Sequence, residues 1–161
     1  MVFQEVGASY YRRVIDDETD QHATTMSTYT CENASYSGTG WDELSSDCST
    51  AWYGGGAPDI TYLTQTIDFK VEGAEGKLTI TLPPSVSADY TTTYDNIVVT
   101  YEHSAENTQV VRINGASAIV THGDLKGGHI RYCKVTTAGE SYIDGVKSAG
   151  TSIVDYNVVA Y

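Results

Sequence analysis

From residue 60 onward, the chain consists of short runs in which apolar and polar residues alternate, and glycine or proline separates these runs. In the run that ends at residue 71, Ile67, Phe69 and Val71 alternate with Asp68 and Lys70. A period of two residues is that of a β-strand with one buried face, and no comparable run has the 3.6-residue period of a helix. The pattern predicts an all-β fold, an antiparallel β-sandwich or barrel of the jelly-roll or immunoglobulin-like kind.

The turn residues predict how these strands connect. Residues 60–71 and 77–82 flank a glycine-bearing segment and predict a hairpin, with the apolar residues of 77–82 facing inward. Asn114-Gly115 predicts a second hairpin, because a type I′ turn requires positive φ angles at both central positions. Asp144-Gly145 predicts another turn of this type. Further strand-like runs cover 94–101, 129–136 and 151–161.

Composition divides the chain near residue 60. Residues 1–59 contain ten acidic and two basic residues, a net charge of −8, and are rich in serine, threonine, glycine and aromatic residues. We interpret 1–59 as an acidic, loop-rich arm or insertion and 60–161 as the antiparallel β-sandwich domain. Within the arm, 41–47 is the best helix candidate, because its acidic residues would lie near a helix N-terminus. Residues 8–15 are strand-like.

The net charge of the whole chain is −12. Proteins that bind nucleic acid neutralise phosphates with lysine and arginine, so the charge argues against a nucleic-acid partner. The same reasoning argues against an anionic membrane surface, and no apolar run approaches the roughly 18 residues of a membrane span. The first residues show neither the basic nor the apolar region of a secretory signal, so we expect synthesis in a cytoplasm.

Three cysteines are present. Cys31 and Cys48 lie in the same polar segment, where they could form a disulfide worth about 3 kcal/mol or remain two free thiols. Cys133 lies in a strand-like run and is predicted to be a small core residue. No pair of cysteines has the spacing of a structural zinc site.

Tyrosine makes up most of the aromatic residues of the chain, which has 13 Tyr, 2 Trp and 2 Phe. Tyr36, Trp41, Trp52 and Tyr53 fall in a glycine- and serine-rich segment. Because tyrosine and tryptophan combine large apolar area with a polar group, they are enriched at contact surfaces. Three interpretations remain open for this group: a subunit interface, a platform on which sugars stack, or a satellite core beneath a long loop.

No catalytic motif is present, so the sequence predicts no catalytic residue, no cofactor and no metal site. Asp16, Glu18 and Asp20 lack the glycine and the bidentate glutamate of a calcium loop and are interpreted as a solvated turn. His129 and Cys133 would lie about 13 Å apart on an extended strand, too far to share a metal. Asp95, Glu102 and Glu106 could supply the paired carboxylates of a glycosidase, but an acidic chain offers many chance pairs, so they are not predicted to be catalytic.

This β-rich, acidic, tyrosine- and threonine-rich chain with an arm-like N-terminus resembles the small structural proteins of tailed bacteriophage virions, above all the head decoration or cement proteins. The resemblance implies a homo-oligomeric subunit that stabilises a virion by contacts with its own copies and with other virion proteins such as the major capsid protein. Tail-tube, head-completion and fibre-adaptor subunits are alternatives of the same kind. A carbohydrate-binding or receptor-recognition β-sandwich is the alternative function.

Overall fold

The computed structural model describes the backbone of residues 6–19, 22–36, 39–71, 77–93, 96–122 and 130–158. Within these ranges the regular structure is entirely β. The strands are β1 (Val6–Thr19), β2 (Ala23–Tyr36), β3 (Thr39–Trp52), β4 (Ile60–Val71), β5 (Lys77–Thr81), β6 (Ser87–Thr92), β7 (Asn96–Glu106), β8 (Val110–His122), β9 (Ile130–Ile143) and β10 (Val146–Val158).

The strands form two five-stranded antiparallel sheets that pack face to face. One sheet has the order β1-β2-β3-β8-β5 and the other has the order β10-β9-β4-β7-β6. Because β3 pairs with β8 while β4 pairs with β7, the strand pairs are nested, as in Greek-key sandwiches. The predicted antiparallel β-sandwich is therefore confirmed.

Alternate residues of β4, β7 and β9 fill the space between the sheets. On β4, Ile67 and Phe69 are fully buried while Lys70 is exposed, which confirms the alternation read from the sequence. Cys133, predicted to be a small core residue, is buried at 1% exposure. We call the contiguous buried hydrophobic residues the apolar cluster: Leu44, Cys48, Leu63, Ile67, Phe69, Ile97, Val99, Tyr101, Val111, Ile113, Ala116, Ala118, Val120, Cys133 and Val135.

A second part of the interior is lined by hydroxyl and amide groups. The side-chain nitrogen of Gln65 on β4 donates to the hydroxyls of Ser27, 3.0 Å away on β2, and Thr137, 3.3 Å away on β9. Thr25 on β2 hydrogen-bonds to Thr151 on β10. Serine and threonine hydroxyls can both donate and accept, so they satisfy one another across the two sheets. We call Thr25, Ser27, Gln65, Thr137 and Thr151 the polar cluster.

The N-terminal region differs from the loop-rich arm that was predicted. It forms the three 14-residue strands β1, β2 and β3. The helix predicted at 41–47 is wrong, because these residues lie within β3, paired with β8 on one side and β2 on the other. Backbone hydrogen bonds to two neighbouring strands outweigh a weak local helix preference. The strand predicted near 8–15 is confirmed within β1. The boundary between 59 and 60 falls in the connection from β3 to β4.

The turn predictions had different outcomes. Residues 60–71 and 77–82 do not form a hairpin, because β4 and β5 belong to opposite sheets. Leu82 was expected to face inward but follows the end of β5 and is 39% exposed. The Asp144-Gly145 turn is confirmed, with φ angles of 50° and 76°.

Asn114-Gly115 is not a hairpin turn but an irregularity inside β8. The register between β3 and β8 shifts at this point, and Gly115 has a φ of 83°. Its N–H donates to a carboxylate oxygen of Asp47 on β3 at 2.7 Å. A glycine with positive φ suits a β-bulge as well as a tight turn, and the pairing with β3 decides between them.

The register does not favour a bridge between Cys31 and Cys48. Cys31 lies opposite Leu44, whereas Cys48 lies opposite Ser27, so the two cysteines are four positions apart on neighbouring strands. That offset is about 13 Å along a strand, and a disulfide requires Cα atoms within roughly 7 Å. Cys48 is a buried free thiol. Of the two alternatives for this pair, the register therefore supports free thiols.

Candidate functional site

The aromatic residues singled out from the sequence do not form one surface. Trp52 ends β3 and is only 7% exposed, whereas the adjacent Tyr53 is 65% exposed. Tyr36 ends β2 opposite Thr39, and Trp41 lies on β3 opposite Ala34. The side chains of Tyr36 and Trp41 lie outside the described residues, so their part in an interface stays a prediction.

Trp52 belongs to a small satellite core. It packs with Ala23 and Ala149, and its ring centroid lies 5.3 Å from that of His22. Gly54 lies so close to the indole that a Cβ atom there would overlap the ring. This burial is the third interpretation given above, and it removes Trp52 from a sugar-stacking platform.

A different aromatic pair is accessible at the same end of the sandwich. Tyr62 on β4 is 45% exposed, and its ring meets that of Tyr142 on β9 edge to face, with centroids 5.6 Å apart. The two rings border an open depression of about 530 Å³, which is also lined by Asp59, Ile60, Glu140 and Gly145. The arrangement joins apolar ring surface to carboxylate acceptors.

Hydrogen bonds fix the polar groups of this depression. The hydroxyl of Tyr142 donates to Oε2 of Glu140 at 3.1 Å, and Lys147 donates to Oε1 of the same carboxylate at 3.2 Å. The hydrogen bond to Glu140 is the main cause that raises the pKa of Tyr142. Asp59 accepts the N–H of Asp144 at 2.7 Å, which ties the β9–β10 turn to the start of β4. The carboxylates of Glu140 and Asp59 are thus each held in place by hydrogen bonds within the protein.

The side chains around this depression could not be identified as a group from the sequence. Tyr62 and Glu140 lie directly opposite each other on β4 and β9 although 78 positions separate them in the chain. Only the strand pairing brings them together. The one usable indication was that Tyr62 occupies an outward position in an alternating strand.

The described residues contain no arrangement typical of hydrolysis or metal binding. No three His, Cys, Asp or Glu side chains among them are grouped as metal ligands. Glu102 and Glu106 lie four positions apart on β7, about 13 Å along the strand, and the carboxyl groups of glycosidases lie within roughly 10 Å of each other. Asp95 lies outside the described residues.

Exposed apolar side chains gather at the end of the sandwich that carries Tyr62. Backbone hydrogen bonds from Asp59 to Tyr142 and from Trp52 to Gln109 bring the strand termini together there. We call the exposed hydrophobic residues at these termini the apolar end: Tyr53, Tyr62, Val110, Ile143 and Val146. Val146 is 66% exposed and Val110 is 41% exposed. The exposed apolar side chains at this end of the fold make it a candidate interaction surface.

No family model matches the chain, and no curated protein matches it. Among the described residues, no helix has the length and apolar character needed to cross a membrane.

Proposed function

We propose that the chain is a structural virion protein, a homo-oligomeric capsid decoration or cement subunit that stabilises the particle by subunit contacts and performs no catalysis. The observation that carries this proposal is the apolar end, where Tyr53, Ile143 and Val146 are exposed at or next to the ends of long strands. Aromatic and apolar groups of this kind form the buried centres of subunit interfaces. The net charge of −12 keeps free subunits apart in solution before assembly.

Co-sedimentation with capsid shells assembled from the capsid protein of the same genome tests this proposal. The wild-type chain is expected to sediment with the shells and Val146→Asp to remain in the supernatant, because a charge at the centre of an apolar contact is left desolvated and unpaired. Tyr90→Asp is the matched control, since Tyr90 is 58% exposed on β6 at the opposite edge. A wild-type chain that stays in the supernatant, or equal binding by Val146→Asp, would overturn the proposal.

The accessible Tyr62–Tyr142 pair favours a second candidate function, carbohydrate recognition. A tyrosine ring can cover the C–H face of a pyranose while Glu140 and Asp59 accept hydrogen bonds from its hydroxyls. On a glycan array, Tyr62→Ala is expected to lose any signal that the wild type gives, and Tyr90→Ala is expected to keep it. A wild type without a glycan signal, or a signal that survives Tyr62→Ala, would reject this candidate.

A further inference from the structure

The dipeptide Asn114-Gly115 lies at a β-bulge inside β8, and both of its residues are exposed to solvent. At the register shift between β3 and β8, β3 contributes Asp47 alone while β8 contributes both Asn114 and Gly115. The extra residue of a bulge interrupts the ladder of backbone hydrogen bonds. Here the N–H of Gly115 donates to the carboxylate oxygen Oδ1 of Asp47 at 2.7 Å.

This dipeptide is also the most chemically labile one that asparagine can form. Asparagine is a thermolabile residue because the backbone nitrogen of the next residue can attack its side-chain carbon. Glycine as the next residue has no Cβ and leaves that approach unhindered. Of the five asparagines in the chain, only Asn114 precedes glycine, and the others precede Ala34, Ile97, Thr108 and Val158.

We propose that Asn114 is a site of spontaneous deamidation and that the carboxylate of Asp47 limits the rate of this reaction. Hydroxide removes the proton from the nitrogen of Gly115, and that nitrogen attacks Cγ of Asn114. The bond between this nitrogen and Cγ forms, the bond between Cγ and Nδ2 breaks, and Nδ2 takes a proton from water and leaves as ammonia. Water then opens the cyclic imide to aspartate or isoaspartate.

The hydrogen bond to Asp47 opposes the first of these steps. The proton that must leave Gly115 is the one that the carboxylate oxygen accepts. A carboxylate is too weak a base to remove an amide proton, while its negative charge disfavours a second negative charge on the adjacent nitrogen. A hydrogen bond to a charged group is strong enough to slow a step that breaks it by about ten-fold or more.

The reactants reach this point from solvent. Asn114 and Asp47 line an open depression of about 250 Å³, together with Met26 and Arg112. The pairing of β5 with β8 ends at Ser117, so β3 is the only strand beside the bulge among those that the structure describes. Hydroxide and water therefore have access to the nitrogen and the amide carbon.

The product changes both the charge and the backbone of β8. Deamidation adds one negative charge beside Asp47 in a chain whose net charge is already −12, and isoaspartate also adds a methylene group to the main chain. Ile113 and Ala116, on either side of the bulge, are fully buried in the apolar cluster. The deamidated chain is therefore expected to unfold at a lower urea concentration than the unmodified chain. None of this chemistry depends on a virion role.

Peptide mapping by mass spectrometry during incubation of the folded chain at mildly alkaline pH measures the reaction. Asn114 lies in the tryptic peptide 113–126. In the wild type it is expected to deamidate before Asn107, which is also exposed but precedes a β-branched residue. Asp47→Asn keeps a hydrogen-bond acceptor without the charge, and is expected to raise the rate at Asn114 about ten-fold or more.

Two control variants and one control condition isolate the cause. Asp89→Asn removes the same charge from an exposed position on β6 in the other sheet, and is expected to leave the rate unchanged. Asn114→Gln keeps the amide but requires a larger ring, and is expected to leave peptide 113–126 unmodified. In urea, the wild type and Asp47→Asn are expected to react at equal rates, because the contact with Gly115 is lost.

Amide hydrogen exchange of the wild type is an independent measurement, since exchange also begins when base removes the proton of Gly115. This amide is expected to exchange at least about ten-fold more slowly than in the unfolded chain, although the residue is exposed. Circular dichroism checks that Asp47→Asn is folded. If it is not, the exchange of Gly115 in the wild type decides.

A folded Asp47→Asn variant that deamidates at the wild-type rate, or a Gly115 amide that exchanges as fast as in the unfolded chain, would overturn the inference. So would a wild type in which Asn107 reacts before Asn114. Equal acceleration by Asp89→Asn would assign the effect to net charge instead of the hydrogen bond, and would also overturn it.

Discussion

The apolar cluster joins β7 and β8 across the sandwich, whereas the polar cluster joins β2 to β4 and β10 across the sandwich and β4 to β9 within one sheet. Burial of apolar side chains is non-directional and scales with the area removed from water. Hydrogen bonds among hydroxyls and amides require particular distances and angles, and their net contribution is roughly 1 kcal/mol each. The first region therefore supplies most of the stability, and the second fixes how the sheets are positioned against each other.

The size of the side chains between the sheets also differs between the two clusters. Gly139 on β9 faces Thr50 on β3, and a Cβ atom at Gly139 would overlap the threonine side chain. Thr50 itself donates to the backbone oxygen of Thr24 at 3.3 Å. Small side chains permit this close approach, while the apolar cluster needs more room for Phe69 and Tyr101. One sandwich interior thus combines an apolar part with large rings and a hydrogen-bonded part with small side chains.

The largest expected effect is the truncation of Phe69. Phe69→Ala should lower the free energy of unfolding by about 3–5 kcal/mol, because it removes a fully buried ring and leaves a cavity. Gln65→Leu in the polar cluster should stay within about 1.5 kcal/mol of the wild type. It removes two hydrogen bonds but also removes Oε1, which has no partner among the described residues. Urea unfolding of both variants measures the difference, and equal losses in the free energy of unfolding would contradict the distinction between the two clusters.

A smaller effect is expected where the sheets approach most closely. Gly139→Ala should lower the free energy of unfolding by about 1–3 kcal/mol, because the added methyl group meets Thr50 and forces the sheets apart. Gly55→Ala is the control, since no atom lies near its Cβ position. Thermal unfolding compares the two. If Gly139→Ala melts together with Gly55→Ala, the close approach of β3 and β9 is wrong.

The smallest expected effect concerns Cys48, which lies in the apolar cluster. Burial, followed by the charge of Asp47, raises the pKa of its thiol to about 12. A thiol of the unfolded chain ionises near pH 9.0. Stability from the retained proton is therefore full below pH 9, decreases as the pH rises toward 12, and changes by at most about 1.4 kcal/mol per pH unit.

The difference in unfolding free energy between the wild type and Cys48→Ala across pH 9 to 11 isolates this contribution. At pH 8, iodoacetamide should modify Cys48 only after denaturant is added, because the thiolate is the reactive form. Peptide mass analysis identifies the modified residue. Rapid modification of Cys48 in the folded chain would show that this part of the apolar cluster is open to solvent.

Much of the local structure could be predicted from the sequence. The alternation around Ile67 and Phe69 and the Asp144-Gly145 turn depend on neighbouring residues only, so the sequence sufficed for them. The period of two places Gln65 on the inward face of Ile67, and Thr137 on that of Val135. Their hydrogen bonds could not be predicted, because the partners of Gln65, Ser27 and Thr137, lie on other strands.

For the candidate site, the sequence directed attention to tryptophan in a glycine-rich segment. That composition suggests an exposed loop. Trp52 is instead the last residue of β3, and its side chain packs against Ala23 and Ala149 in a satellite core. The accessible pair, Tyr62 and Tyr142, lies on strands that looked like ordinary parts of the sandwich. Strand pairing alone brings them together, since residues on different strands become neighbours only through the ladder of backbone hydrogen bonds.

The sequence alone was sufficient to predict an antiparallel β fold, the position of many strands, and the burial of alternating apolar residues such as Ile67 and Phe69, because the two-residue period is a local property. The tertiary structure was needed to show that β1, β2 and β3 of the first 59 residues join the sandwich and that β4 and β5 belong to opposite sheets. Backbone hydrogen bonds between strands are the same for every residue type, so the choice of partner strand is made by the packing of the whole interior.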